Sequence, residues 1–335
     1  MKTIRSRLLG WGRILLAVAI LFLLIKRLHQ LLGAVEMESI TLKPFSLFAS
    51  LTLLLAYLGT HGIACVFLYQ VGSGKEKRTS MGRCLTHKDL PPLLSGWAFF
   101  QLSQFGRYLP GKVGQFVVMF SLSQTFGIEK KGAVLATCCH LVFQCGLGCF
   151  IGFFVLRNTA VAPLWQELLT DLQMSGKTVL LIGSIVGMTL GISTLFFYRQ
   201  RIRDALSYLM KQDFRPLFLI SSVLGFISGY LLLWGLFGTA FFLFIHSIHP
   251  VDASEIIIVT GIYAVAWIIG FLSFLTPSGL GVREGVLSLL LTTILPPATA
   301  TLVALLSRLW TLSAELFLGG LAFGIYFRQR RVQSP

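Results

Sequence analysis

Gly106-Arg107-Tyr108-Leu109-Pro110-Gly111-Lys112-Val113-Gly114-Gln115 interrupts an otherwise apolar run over 92–125. Half a chain later, Thr276-Pro277-Ser278-Gly279-Leu280-Gly281-Val282-Arg283-Glu284 interrupts a second, over 254–295. Proline has no N–H to donate and glycine tolerates dihedrals that other residues avoid. Each stretch therefore predicts opened backbone inside an apolar segment. Backbone of that kind survives in lipid only where it is buried in protein or lines a wet cavity.

Outward from these breaks the sequence is oily. Of 335 residues, 55% are hydrophobic and 12% charged, against about 25% charged in a soluble domain. That excludes an ordinary soluble enzyme, and it excludes disorder, which needs low hydrophobicity. A spanning helix needs about 20 apolar residues. Uninterrupted candidates are 11–33, 45–70, 131–156, 177–198, 216–246 and 299–326. The basic start followed by an apolar run imitates a signal peptide, but no small-x-small cleavage site follows, so a retained first helix is expected. The six cysteines, at 65, 84, 138, 139, 145 and 149, form no CxxC pair and are read as packing residues.

The net charge of +15 arises from 28 Lys and Arg against 13 Asp and Glu. If each break is the tip of a re-entrant hairpin, the six uninterrupted runs alternate and both termini lie in the cytoplasm. The cytoplasmic segments then hold nineteen basic residues: Lys2, Arg5, Arg7, Arg13, Lys75, Lys77, Arg78, Arg83, Lys88, Lys130, Lys131, Arg199, Arg201, Arg203, Lys211, Arg215, Arg328, Arg330 and Arg331. The outer side holds five, and Arg107, Lys112, Arg283 and Arg308 fall in the membrane region. Making the first broken run a single crossing would put the basic residues of 199–215 outside, against the positive-inside rule. The reading is an all-α polytopic membrane protein: six full transmembrane helices plus two Pro/Gly-broken hairpins of opposite entry. The whole, 1–335, is one integral membrane domain. Hairpin plus following span, 92–156 and 254–326, form the matching parts of an inverted repeat.

The breaks also carry the candidate site. Free N–H groups at a new half-helix attract anions, and guanidinium is a planar multi-donor ligand for phosphate. Pro110, Gly111, Pro277, Gly279 and Gly281 open the backbone. Arg107, Lys112 and Gln115 in the first break, and Arg283 with Glu284 in the second, are candidate binding residues. Arg308 and Glu315 are two helical turns apart in the last span and share a face. His140 and Gln144, four apart in span 131–156, share another. Intramembrane ionisable groups are functional candidates by default, although a salt-bridge cluster bracing the hairpin accounts for the same charges. His246, His249, Asp252 and Glu255 read as a polar loop, not a metal site, because Pro250 interrupts any regular helix there. No metal, cofactor or nucleic-acid partner is expected.

Three of these motifs in order resemble one family. Gly106 to Gln115 looks like its first signature. Pro277-Ser-Gly-Leu-Gly-Val-Arg-Glu-Gly285 looks like its second, usually Pro-Gly-Gly-Leu-Gly-x-Arg-Glu. Ser307-Arg308-Leu309-Trp310 through Glu315 resembles its third. The chain is similar over nearly its whole length to the lysylphosphatidylglycerol synthase transmembrane-region family of flippase-like membrane proteins. Ser278 stands where that pattern has glycine. The resemblance implies a multi-pass protein of the bacterial cytoplasmic (inner) membrane, open to homo-oligomerisation, that moves an anionic or phosphate-bearing lipid between leaflets. A polyprenyl-phosphate carrier is included in that substrate class. The sequence ends at Pro335, after the last span, so the aminoacyl-transfer activity of bifunctional members is not expected. Two other readings stand beside it: an integral-membrane lipid-phosphate transferase, for which no nucleophile or metal motif is found, and a non-transporting scaffold of a lipid-modifying complex.

Overall fold

The computed structural model describes residues 42–72, 92–108, 114–158, 220–273 and 277–333, together with Phe22 and Lys26 as two helical positions. The rest of the run 11–33, all of 177–198, and Pro110, Gly111 and Lys112 lie outside these residues. Among the described residues the protein is all-helical. The helices are α1 (Pro44–Gly72), α2 (Pro92–Gln104), α3 (Gly114–Ser123), α4 (Lys130–Asn158), α5 (Ile220–His246), α6 (Ile256–Leu272), α7 (Val282–Leu291) and α8 (Pro297–Gln333).

Among the described residues, five helical segments are long and apolar enough to cross a membrane: Pro44–Tyr69, Gly132–Gly152, Leu224–His246, Ala253–Leu272 and Pro297–Arg331. Four of them coincide with uninterrupted runs of the sequence. The fifth, containing α6, was read only as the first arm of the second broken run. At 1.5 Å rise per residue its 20 residues reach roughly 30 Å, the thickness of a hydrocarbon core. The corresponding α2 has 13 residues and spans about 20 Å.

The long helices are apolar on nearly every face, as lipid-surrounded helices must be. Leu231 and Leu232 on α5 and Leu309, Leu316 and Phe317 on α8 are exposed. Many hydroxyls inside these helices are satisfied locally. Ser50, Thr137 and Thr311, for example, donate to carbonyls three or four residues back. Lipid is as apolar as leucine, so helix association rests on close packing and interhelical hydrogen bonds. Gly148 and Gly152, four apart on α4, let that helix approach α5 and α6. A Cβ on Gly148 would stand 2.8 Å from Trp234 Cζ2, and one on Gly152 would stand 2.7 Å from Val265 Cγ2.

The element order after α1 (short helix, tight turn, short helix, long helix) recurs after α5, except that α6 is the longer first arm. The packing crosses between these halves. Helix α4 packs on α6, α2 packs on α8, and α1 runs along α5. Two hydrophobic cores result. One is centred on Trp234, Phe241, Tyr263, Leu287 and Trp310, the other on Tyr69, Phe99, Phe100 and Met119. The turns Phe105–Tyr108 and Pro277–Gly279, one from each break, touch each other between them.

Candidate functional site

The second break is a sequence of left-handed residues. Ser278 has φ 54° and ψ 20°, and Gly279 and Gly281 have φ 67° and 83°. Gly279 is required twice over, because a Cβ there would also stand 2.5 Å from the Gly270 carbonyl oxygen of α6. Helix α7 then starts at Val282. Its Glu284 reaches back so that the Gly281 N–H donates to Oε2 at 2.7 Å. The carboxylate thereby occupies the positive helix end that would otherwise attract an anion. Arg283 Nε lies 3.5 Å from Glu284 Oε1. Its guanidinium sits 5.2 Å over the Tyr263 ring and donates to Ser307 Oγ at 3.5 Å.

The first break turns just as tightly. A Cβ on Gly106 would stand 2.5 Å from both the Gly114 carbonyl oxygen and Gln115 Cα, so the turn and the start of α3 are in backbone contact. The turn aims Arg107 and Tyr108 at α8. Arg107 forms an ion pair with Glu315, and the Tyr108 hydroxyl donates to Glu315 Oε2 at 2.6 Å. One helical face of α8 thus carries Glu315 for the first break and Arg308 for the second. Arg308 donates to Ser278 Oγ at 3.2 Å, and its guanidinium lies 5.4 Å over the Tyr108 ring. Among the described residues no carboxylate pairs with Arg308.

These groups border one cavity of about 200 Å³. Seven residues singled out in the sequence line it: Arg107, Gln115, His140, Gln144, Arg283, Arg308 and Glu315. Glu284 does not; it is 1% exposed and serves as the cap of α7. Lys112 lies outside the described residues. The wall also contains Tyr57, His61, Gln101, Gln104, Tyr263 and Trp267, which the sequence reading passed over. His61, Gln101 and Gln104 are polar residues within apolar helices, the same signal that marked His140 and Gln144. Tyr57 and Tyr263 carry no such signal. Gln144 donates to the Tyr57 hydroxyl at 3.3 Å, and Gln101 donates to the Leu58 carbonyl at 2.8 Å.

His246 is held in a local network. Its Nε2 is 3.0 Å from Lys43 Nζ, and its Nδ1 lies against the Val251 backbone. That fits a structural loop.

The cavity therefore combines three guanidiniums with one lining carboxylate. It has an amide and imidazole wall on α1, α2 and α4 and aromatic faces from Tyr263 and Trp267. Such a surface complements a single anionic group with an apolar attachment. Comparison with protein-family profiles, with curated proteins and with solved structures finds no match to this chain.

Proposed function

We propose that the protein is a lipid translocase of the flippase-like family its motifs resemble, moving a phosphate-bearing polar lipid or polyprenyl-phosphate carrier between leaflets. The observation that carries this reading is Arg308, with which no carboxylate among the described residues pairs, beside Arg107 and Arg283 in a cavity where both chain breaks meet. An unpaired guanidinium away from water is costly, and a phosphate supplies the missing partner through parallel N–H···O bonds. Gln115 and Gln144 add hydrogen bonds around the headgroup, while His140, whose ring nitrogens meet His61 and Tyr230, only walls the cavity and Glu315 holds Arg107 in place.

In this reading the six uninterrupted runs, 11–33 and 177–198 among them, are full spans, the two breaks are hairpin tips entering from opposite sides with the membrane-long α6 as the first arm of the second, and the termini are cytoplasmic. The exchanged packing of α2 on α8 and α4 on α6 supports an inverted repeat, in which one half rocks against the other around a central site. The membrane is the bacterial inner membrane, as the family resemblance implies.

The test is transfer of a fluorescently labelled phosphate-bearing lipid across vesicles reconstituted with the purified chain. Arg308→Ala is expected to slow transfer at least about tenfold, the equivalent of one charge-assisted hydrogen bond of about 1.5 kcal/mol, with the elution profile and melting midpoint retained. Wild-type transfer by well-folded Arg308→Ala would sink the reading. Recovery of a chemically altered lipid would favour a transferase.

A further inference from the structure

A second cluster lies on the α1–α4 side of the same cavity, formed by side chains other than the arginines of the breaks. His61 and Cys65 are four apart on α1, so their side chains stack on one face. His140 of α4 meets them, with its Nε2 2.8 Å from His61 Nε2. The thiol sulfur and one nitrogen of each imidazole all lie within 4.8 Å of one another. Cys65 and His140 are buried, and His61 is half-buried on the cavity wall.

We propose that His61, Cys65 and His140 form a binding site for a soft transition-metal ion, with Cu⁺ the best match. The proposal is independent of lipid translocation. Two nitrogens bound to one ion at about 2.0–2.1 Å stand roughly 3.3–3.6 Å apart at tetrahedral or trigonal angles, so the two Nε2 atoms, 2.8 Å apart, need to part by less than about 1 Å. The sulfur completes a trigonal set after a small side-chain adjustment. His140 directs its Nδ1 at the Tyr230 hydroxyl, 2.6 Å away. This second hydrogen bond fixes the ring and leaves Nε2 facing His61, as metal-bound histidines are typically held. The Tyr57 ring stacks on His61 from the other side, with centroids 5.9 Å apart.

The choice of ion follows from donor type and charge. Thiolate and imidazole suit Cu⁺ and Zn²⁺. The site is buried beside a cavity that already carries an excess of guanidinium. One thiolate with Cu⁺ sums to zero, whereas Zn²⁺ leaves an uncompensated positive charge where burial penalises it. Sequence spacing gives no sign of this site, because His140 is on a different helix from the other two residues.

The experiment uses the full chain in detergent with Cys84, Cys138, Cys139, Cys145 and Cys149 replaced by serine, so that Cys65 is the one remaining thiol. Cu⁺ is titrated under reducing conditions against a chromogenic chelator, and Zn²⁺ separately. The expected result is one equivalent of Cu⁺ per chain with a near-ultraviolet thiolate-to-metal absorption band. Cys65→Ser, which keeps the size of the side chain, and His61→Gln should each abolish both the binding and the band. His246→Gln should preserve them. Melting curves of the metal-free variants separate lost binding from lost fold. Retention of Zn²⁺ instead of Cu⁺ overturns the charge argument. Retention of neither ion, or binding unchanged by Cys65→Ser, overturns the site and leaves a histidine pair sharing a proton.

Discussion

Tyr108 donates its phenolic hydroxyl to Glu315 at 2.6 Å across 207 residues of sequence, in step with the ion pair from its neighbour Arg107 to the same carboxylate. The bond joins the tip of the first break to the last helix, and so joins the two halves of the molecule at the cavity. Glu315 is the only carboxylate lining that cavity among the described residues.

Glu315→Gln should therefore loosen the junction and leave Arg107 and Arg308 mutually repulsive. Removing one member of a buried pair costs about 3–5 kcal/mol; with the Arg107 side chain 34% exposed, solvent screening lowers the expected cost to about 2 kcal/mol. Tyr108→Phe should cost about 1 kcal/mol, the value of one hydrogen bond. Because both residues use the same carboxylate, the double variant should cost less than the sum. Melting midpoints in detergent test this, and strict additivity would contradict a shared junction.

Ser278 is the one described non-glycine residue at positive φ. The left-handed conformation costs a non-glycine residue about 1–2 kcal/mol, and the hydroxyl offsets it with its bond to Arg308. Ser278→Gly removes strain and bond together, so stability should stay within about 1 kcal/mol of wild type. Ser278→Ala keeps the strain and loses the bond, and should be the less stable variant by about 1–2 kcal/mol. The order of the two melting midpoints decides the matter; an alanine variant as stable as the glycine variant would remove the argument for compensation.

The sequence exposed the site better than it exposed the site's wiring. Arg308, Glu315, His140 and Gln144 stand out because a polar residue in an apolar run needs a reason, and all four reach the cavity. Their pairings were not legible. Glu315 meets only the first break, whereas Arg308 on the same face of α8 touches both, Ser278 in one and the Tyr108 ring in the other, and which residue meets Glu315 depends on how α2 packs on α8. The capping role of Glu284 was hidden for a local reason. Its position three residues into α7 makes it a helix cap, but the start of α7 is set by the left-handed turn before it. The length of α6 was hidden in the same way, because Pro277 drew attention to the break and away from the complete apolar helix before it.

Gly106 tests whether the first break is a fixed turn. Its Cβ position is filled by backbone atoms of Gly114 and Gln115, which cannot swing aside as a side chain can. Gly106→Ala is expected to separate the turn from α3 and to displace Arg107 from Glu315, at a cost of about 1–3 kcal/mol, as for overpacking elsewhere. Gly146→Ala, at a position with open space, should be neutral or slightly stabilising, since alanine favours a helix by about 1 kcal/mol. Equal melting midpoints for the two variants would mean that the close approach at Gly106 is not constraining.

Glu284 separates a structural role from a binding one. As a cap it needs only an acceptor oxygen, and glutamine has one. Glu284→Gln should retain the bond from the Gly281 N–H but lose the carboxylate beside Arg283 and part of the charge–dipole term, together about 1–3 kcal/mol, and leave lipid transfer by the folded protein near wild type. Glu284→Leu should orphan that N–H and leave Arg283 without its nearest carboxylate inside the protein. The expected cost is about 3 kcal/mol or more, and transfer should fall with the loss of folded protein. A glutamine variant that folds like wild type yet transfers no lipid would show that the charge of Glu284 acts on the substrate or on Arg283 during the cycle, and the cap alone would no longer account for it.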